Sequence, residues 1–179
     1  MRFLFWIFLF LIFACDHKYQ SRIVEDNRDY ISDFFLASNK EIVKSEDLMI
    51  DSLIKMSSEE FSKDSSGIRV LINKENISNN LGQMPQDGDL VKVAYNCIVL
   101  ENFNSFSDLN MLDTDTTIFQ IGYSKQMRGM NYAIKLLKIG ESAKIIIPSY
   151  LGFGMSGYGE SVPPYSTLLL NIKLLNIKS

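Results

Sequence analysis

Histidine is nearly missing from this sequence: His17 is the single one, close to the N-terminus. The rest of the chain therefore has no imidazole for a Ser-His-Asp triad or a His-rich metal site. Cysteine is almost as scarce. Cys15 and Cys97 are the two, without C-x-x-C spacing, so neither a zinc cluster nor a disulfide framework is supported. A basic excess is lacking as well. The net charge is −3 and the Lys and Arg residues are scattered, which argues against nucleic acid as the main partner because few counterions would be released. There are no internal repeats and no long low-complexity segments. What remains is a chain of 179 residues, 46% apolar, with room for one domain of ordinary size plus extras.

The N-terminus is the most apolar stretch. Residues 1–14 read MRFLFWIFLFLIFA, with Arg2 as a minimal positive start and an unbroken apolar run over 3–13. As a helix that run reaches only about 16 Å, roughly half a bilayer core. The length suits a secretory signal better than a membrane span. A short buried helix is the alternative, but a run this apolar followed by DHKYQSR is hard to bury in a globule. The segment Ile12-Phe13-Ala14-Cys15 resembles a bacterial lipobox, with a small residue before the cysteine that is lipidated. Acyl chains on Cys15 would anchor the protein, each buried methylene contributing ~0.8 kcal/mol. A cleaved but unlipidated secreted form is the other reading. Cys97 is then a lone thiol in an apolar strand, expected to be plain core packing.

Residues 16–37 read as a polar tether. The sequence SNKE at 38–41 fits a capping box. From there Ile42, Ile50, Leu53 and Ile54 can share one face of a helix to about Met56. Its partner is either the following domain or a second chain. Residues 57–67, SSEEFSKDSSG, read as a linker. The expected divisions are a signal over 1–14, lipidated cysteine and tether over 15–37, helix and linker over 38–67, and a domain over 68–179.

Beyond Gly67 the pattern turns to strands, expected over 68–73, 90–100, 116–121, 142–148 and 167–177. In the second, Val91, Val93, Tyr95, Cys97 and Val99 face one way while Lys92 and Asn96 face the other. That alternation predicts a sheet covered on one side and wet on the other. Met127, Met130, Ile134 and Leu137 recur at helical spacing, with Gly140 as the glycine stop. Strands without intervening crossover helices imply an antiparallel sheet, here wrapped around one short helix: an α+β fold.

Residues 68–177 resemble the FKBP-type peptidyl-prolyl isomerases. Five pieces in order carry the resemblance: FQIG before the helix, RGM for the family's Arg-Gly-Trp, KIGESAKIIIP after it, LGFG, and VPPYSTLLLNIKLL. With the lipobox and the N-terminal helix, the chain also resembles the gliding-motility-associated FKBP-type lipoproteins of Bacteroidetes. The resemblance implies an antiparallel sheet around the short helix, with a proline pocket between them and no cofactor or metal. It places Tyr95, Phe106 and Phe153 as the catalytic aromatics. Phe119, Gln126, Met127, Met130, Val162 and Leu170 would bind substrate, with Met130 at the tryptophan floor. Ser107 stands where the family has aspartate, Phe153 where it has tyrosine, and Phe103 competes with Phe106 for the aromatic position.

Prolyl isomerisation breaks no covalent bond. Its barrier is lost amide resonance, ~18–20 kcal/mol, and a catalyst needs only to favour the twisted amide. The expectation is a weak isomerase of proline-containing polypeptide clients, in a lipoprotein that faces the periplasm from the outer membrane. The alternative is a non-catalytic chaperone or interaction module in an envelope complex, docking through the helix at 39–56.

Overall fold

Val91, Val93, Tyr95, Cys97 and Val99 at every second position make Leu90–Val99 a strand, which pairs with the runs at 115–120 and 168–178. The computed structural model describes residues 18–73, 82–100 and 115–178, with side chains from residue 30 onward. The expectations for the signal segment, Cys15, Phe103, Phe106 and Ser107 fall outside the described residues.

The elements are α1 (Lys18–Met56), β1 (Ser62–Lys63), β2 (Arg69–Asn73), β3 (Leu90–Val99), β4 (Asp115–Gln120), α2 (Arg128–Ile134), β5 (Ser142–Ile147) and β6 (Leu168–Lys178). The six strands form one sheet in the order β1-β2-β5-β6-β3-β4. Every pairing is antiparallel, as the lack of crossover helices predicts. In the centre Cys97 lies opposite Leu170, which lies opposite Ile145. A register shift between Lys92 and Val93 marks a bulge against β6.

One face of the sheet carries Val91, Val93, Ile145, Leu168, Leu170, Ile172 and Leu174, all buried, and α2 covers it with Met130, Ala133 and Ile134. Each fully buried side chain of this size contributes about 1.5–3 kcal/mol. Helix α2 is shorter than its apolar spacing suggests, ending at Ile134. Leu137 is buried beyond the helix end, and Gly140, at φ +90, turns the chain toward β5.

The N-terminal part departs most from expectation. Helix α1 already runs from Lys18, through both the supposed tether and the capping box. No Gly or Pro interrupts residues 18–56, so nothing stops the helix from extending N-terminal of Ser38. It ends where the Ser57 hydroxyl donates to the Ile54 carbonyl at 2.8 Å.

The chain divides into two units, Met1–Ile42 and Val43–Ser179. The second unit thus begins inside α1, not near Gly67. Within it Ile50 packs with Ile146 and Leu169 on the second sheet face. Arg69, almost fully buried, donates to Asp51 at 2.7 Å and to Asp47 at 2.6 Å. That face is therefore wet only in part: Lys92, Ile98 and Ile118 are exposed, whereas Ile146 and Leu169 are covered. The linker of the sequence reading contributes β1, whose Lys63 binds Asp47.

Candidate functional site

Tyr95 lies within electrostatic reach of Tyr158, which stacks on Phe153. Tyr95, half-buried on β3, lies opposite Asp115 on β4 and Ile172 on β6. Desolvation raises its hydroxyl pKa, and the charges of Asp115, Cys97 and Tyr158 act in the same direction. Tyr158 in turn stacks on Phe153, with ring centroids 4.9 Å apart and planes inclined by 27°. Offset stacks of this kind add about 0.5–1.5 kcal/mol beyond area burial.

The segment between β5 and β6 is held by turns. Pro148 accepts from the amides of Leu151 and Gly152, closing a short 3₁₀ turn at Ser149–Leu151. Phe153 follows at the start of a second such turn, Gly154–Ser156. Gly157 sits at φ +62, and a Cβ there would stand 2.2 Å from the Val162 carbonyl oxygen, so only glycine fits. Beyond it Tyr158 and Val162 exchange two backbone hydrogen bonds, at 2.8 and 3.1 Å. Pro163 and Pro164 are exposed, and Tyr165 occupies the left-handed region at φ +59, its amide donating to Gly154 at 2.8 Å. A non-glycine residue in this conformation is strained, and that hydrogen bond clamps it.

Of the expected site residues, Tyr95, Met127, Phe153 and Val162 are half-buried and pack against the main core, to which Phe119, Met130 and Leu170 belong. The latter three are buried completely or nearly so. They support the site from inside the core rather than line it. Gln126 and Met127 diverge: Gln126 lines a polar hollow of about 560 Å³ with Asp87, Arg128, Tyr132 and Lys135. There Lys135 pairs with Asp87 at 3.0 Å and lies 5.4 Å from the Tyr132 ring centroid. None of Tyr95, Phe153 and Val162 lines that hollow.

Burial pushes the Cys97 thiol up to about 11, which makes it an inert packing group. Among the described residues no group of three or more His, Cys, Asp or Glu side chains could hold a metal ion. The arrangement offers an apolar, partly dry surface edged by phenol rings, suited to an apolar ring within an extended chain. Tyr158 did not emerge from the sequence. Its flanking glycines mark it as a turn residue, and nothing in its position shows that it stacks on Phe153.

Comparison with known proteins supplies a second line of support. The family described as FKBP-type peptidyl-prolyl cis-trans isomerase matches residues 82–175. FK506-binding protein 1 of Eremothecium gossypii is 34% identical over 95 residues, covering 52% of this chain and 80% of its own. Peptidyl-prolyl cis-trans isomerase FKBP10 of Homo sapiens is 33% identical over 98 residues, covering 53% of this chain. The chain spans only 16% of that human relative and 44% of human FKBP14. In fold, the crystal structure of FkpA from Escherichia coli superposes with a TM-score of 0.57 at 19% identity, over 92% of this chain and 74% of that one.

Proposed function

The chain belongs to the FKBP-type peptidyl-prolyl cis-trans isomerase family, and we propose that it catalyses cis-trans exchange of X-Pro bonds in polypeptide clients, at a modest rate. The observation that carries this reading is the set Tyr95, Met127, Phe153 and Val162, each half-buried and packed against the core that holds Met130. A proline ring packed there leaves water. An apolar surrounding disfavours the charge-separated planar amide and so lowers the cost of twisting it. The modest rate follows from Phe153, which lacks the hydroxyl that a tyrosine would offer to the bound chain. One such hydrogen bond contributes ~0.5–1.5 kcal/mol. Acceleration of X-Pro exchange in a short peptide tests the activity.

The setting belongs to the same proposal. The lipobox-like sequence ending at Cys15 supports a lipid-anchored protein of the cell envelope, facing the periplasm from the outer membrane, with secreted or outer-membrane proteins as clients. Incorporation of a labelled fatty acid, lost on Cys15→Ser, tests the anchor. Labelling unaffected by that substitution would remove it.

A second reading has its own observation. On α1, Tyr30, Ile31, Phe34, Phe35 and Leu36 are all more than half exposed. Such an apolar face supports an interaction module, in an envelope complex such as gliding-motility machinery. Its test is Phe34→Ser with Phe35→Ser, since residues 43–56 belong to the compact unit and their deletion would damage the fold. Loss of co-purification with an envelope complex, with the lipid label and peptide exchange intact, favours this second reading, and co-purification unchanged removes it.

A further inference from the structure

Glu46 has a carboxylate that belongs to neither the pocket nor the surface. It lies in the part of α1 within the compact unit and is only 9% exposed. A buried carboxylate is costly unless donors surround it, and here three do. The Ser149 amide donates to Oε1 at 2.7 Å, the Thr167 hydroxyl donates to the same Oε1 at 2.6 Å, and the Ser149 hydroxyl donates to Oε2 at 2.8 Å.

These donors are 18 residues apart in sequence (167 less 149), and they stand at the two roots of the pocket segment. Ser149 opens the turn that leads to Phe153. Thr167 closes the stretch that carries Val162 and the paired prolines, and enters β6. Its carbonyl also accepts from the amide of Leu100, just past β3, at 2.9 Å. One oxygen atom therefore ties the root of the Phe153 arm to the root of the Val162 arm, just beyond the last β5–β6 pair, Ile147 and Leu168. The oxygen is itself fixed, because Ile50, one turn further along α1, packs on Ile146 and Leu169, and Asp47 and Asp51 hold the buried Arg69.

We infer that Glu46 is a positioning residue for the isomerase pocket, setting the spacing of its two arms from the far side of the sheet. This inference rests on the isomerase reading above. The last turns of α1 are then part of the catalytic domain and not an appended arm. Phe153 and Val162 hold the client chain, so loosening their roots weakens binding of ground state and transition state alike, which appears in KM more than in kcat.

The test uses the full chain and three variants. Glu46→Leu removes both acceptor oxygens and with them all three hydrogen bonds, and should raise KM for a proline peptide about tenfold, with a smaller change in kcat. Glu46→Gln should restore it to within about twofold, because Oε1 keeps both shared bonds and the Ser149 hydroxyl can turn to accept from the new amide. Val70→Ala, which opens a small cavity in the core and leaves all three Glu46 bonds in place, should leave KM unchanged. ¹⁵N relaxation of residues 149–157 and 158–167 gives a readout independent of catalysis, with faster motion expected in Glu46→Leu alone.

Equal KM values and equal relaxation in Glu46→Leu and wild type overturn the inference. So does the same KM change in Glu46→Leu and Val70→Ala, which would mark general loosening. Should Glu46→Leu fail to fold, the near-isosteric Thr167→Val removes one arm's bond and should change KM in the same direction by a smaller factor. No change there also overturns it. If wild type accelerates no exchange, the isomerase reading fails separately, and relaxation decides: arms as still in the variant as in wild type reject the role of Glu46, and loosened arms support it.

Discussion

Gly129 and Ile147 are in van der Waals contact across the junction of α2 and β5: a Cβ built on Gly129 would stand 2.3 Å from Ile147 Cγ2. The glycine of the Arg128-Gly129 pair is thus a packing requirement that lets α2 approach the sheet. Gly129→Ala should destabilise the protein by about 1–3 kcal/mol, the range for overfilling a packed core, as measured by urea unfolding. Unchanged stability would mean that α2 shifts freely on the sheet.

Arg69 is 1% exposed, while its partners Asp47 and Asp51 are 34% and 51% exposed. Replacing both aspartates by asparagine strands the guanidinium. The expected cost is about 2–3 kcal/mol, between the values for exposed pairs and fully buried ones. The same contact gives a pH dependence. Burial raises the Asp47 pKa, but hydrogen bonds and charge from Lys63 and Arg69 outweigh it and hold the group below its ordinary 3.8. The folded value is depressed, so this stabilisation is present above 3.8 and is lost as pH falls through the folded value. Acid unfolding midpoints should therefore shift less between pH 5 and pH 2 in Asp47→Asn than in wild type.

Cys97 should resist alkylation near neutral pH, because burial raises its pKa from 9.0 to about 11. Here the folded value is raised, so the contribution to stability is full below pH 9 and lost as pH rises toward 11. Cys97→Ala should remove that alkaline slope. Rapid labelling of Cys97 in the folded chain would contradict the packing described here.

Phe153→Tyr adds a hydroxyl to the ring that stacks on Tyr158. If a client carbonyl lies within reach, kcat/KM should rise by up to about tenfold, equivalent to one hydrogen bond. No gain in a folded variant would show that the bound chain does not pass over the Phe153 ring edge.

Five of the six strands were legible because their spacing is strict: Val91, Val93, Tyr95, Cys97 and Val99 could only alternate, and each boundary moved by no more than one residue, whereas the two-residue β1 lay hidden in the expected linker. The candidate pocket residues Tyr95, Met127, Phe153 and Val162 were reached through family resemblance. Composition alone would have assigned Met127 and Met130 to a core helix, and Met130 is indeed fully buried. The end of α2 was misjudged because Leu137 keeps the helical apolar spacing after the helix has stopped. The role of α1 was hidden for another reason. Nothing local to Glu46, Asp47 and Asp51 announces that Arg69, Ser149 and Thr167, 18 to 121 residues away in sequence, donate to them. SNKE at 38–41 matches the capping-box pattern but lies inside α1, because the pattern starts a helix only where the residues before it cannot continue one.

The most direct test of the central claim is X-Pro exchange in a short peptide, followed by NMR with and without the full chain held in mild detergent. The uncatalysed step takes tens of seconds or more. The account predicts exchange accelerated at catalytic protein concentration and lost in Tyr95→Ala, with the variant still folded by its amide spectrum. Exchange no faster with the chain than without it, or fully retained in Tyr95→Ala, would contradict a catalytic pocket built on Tyr95, Phe153 and Val162.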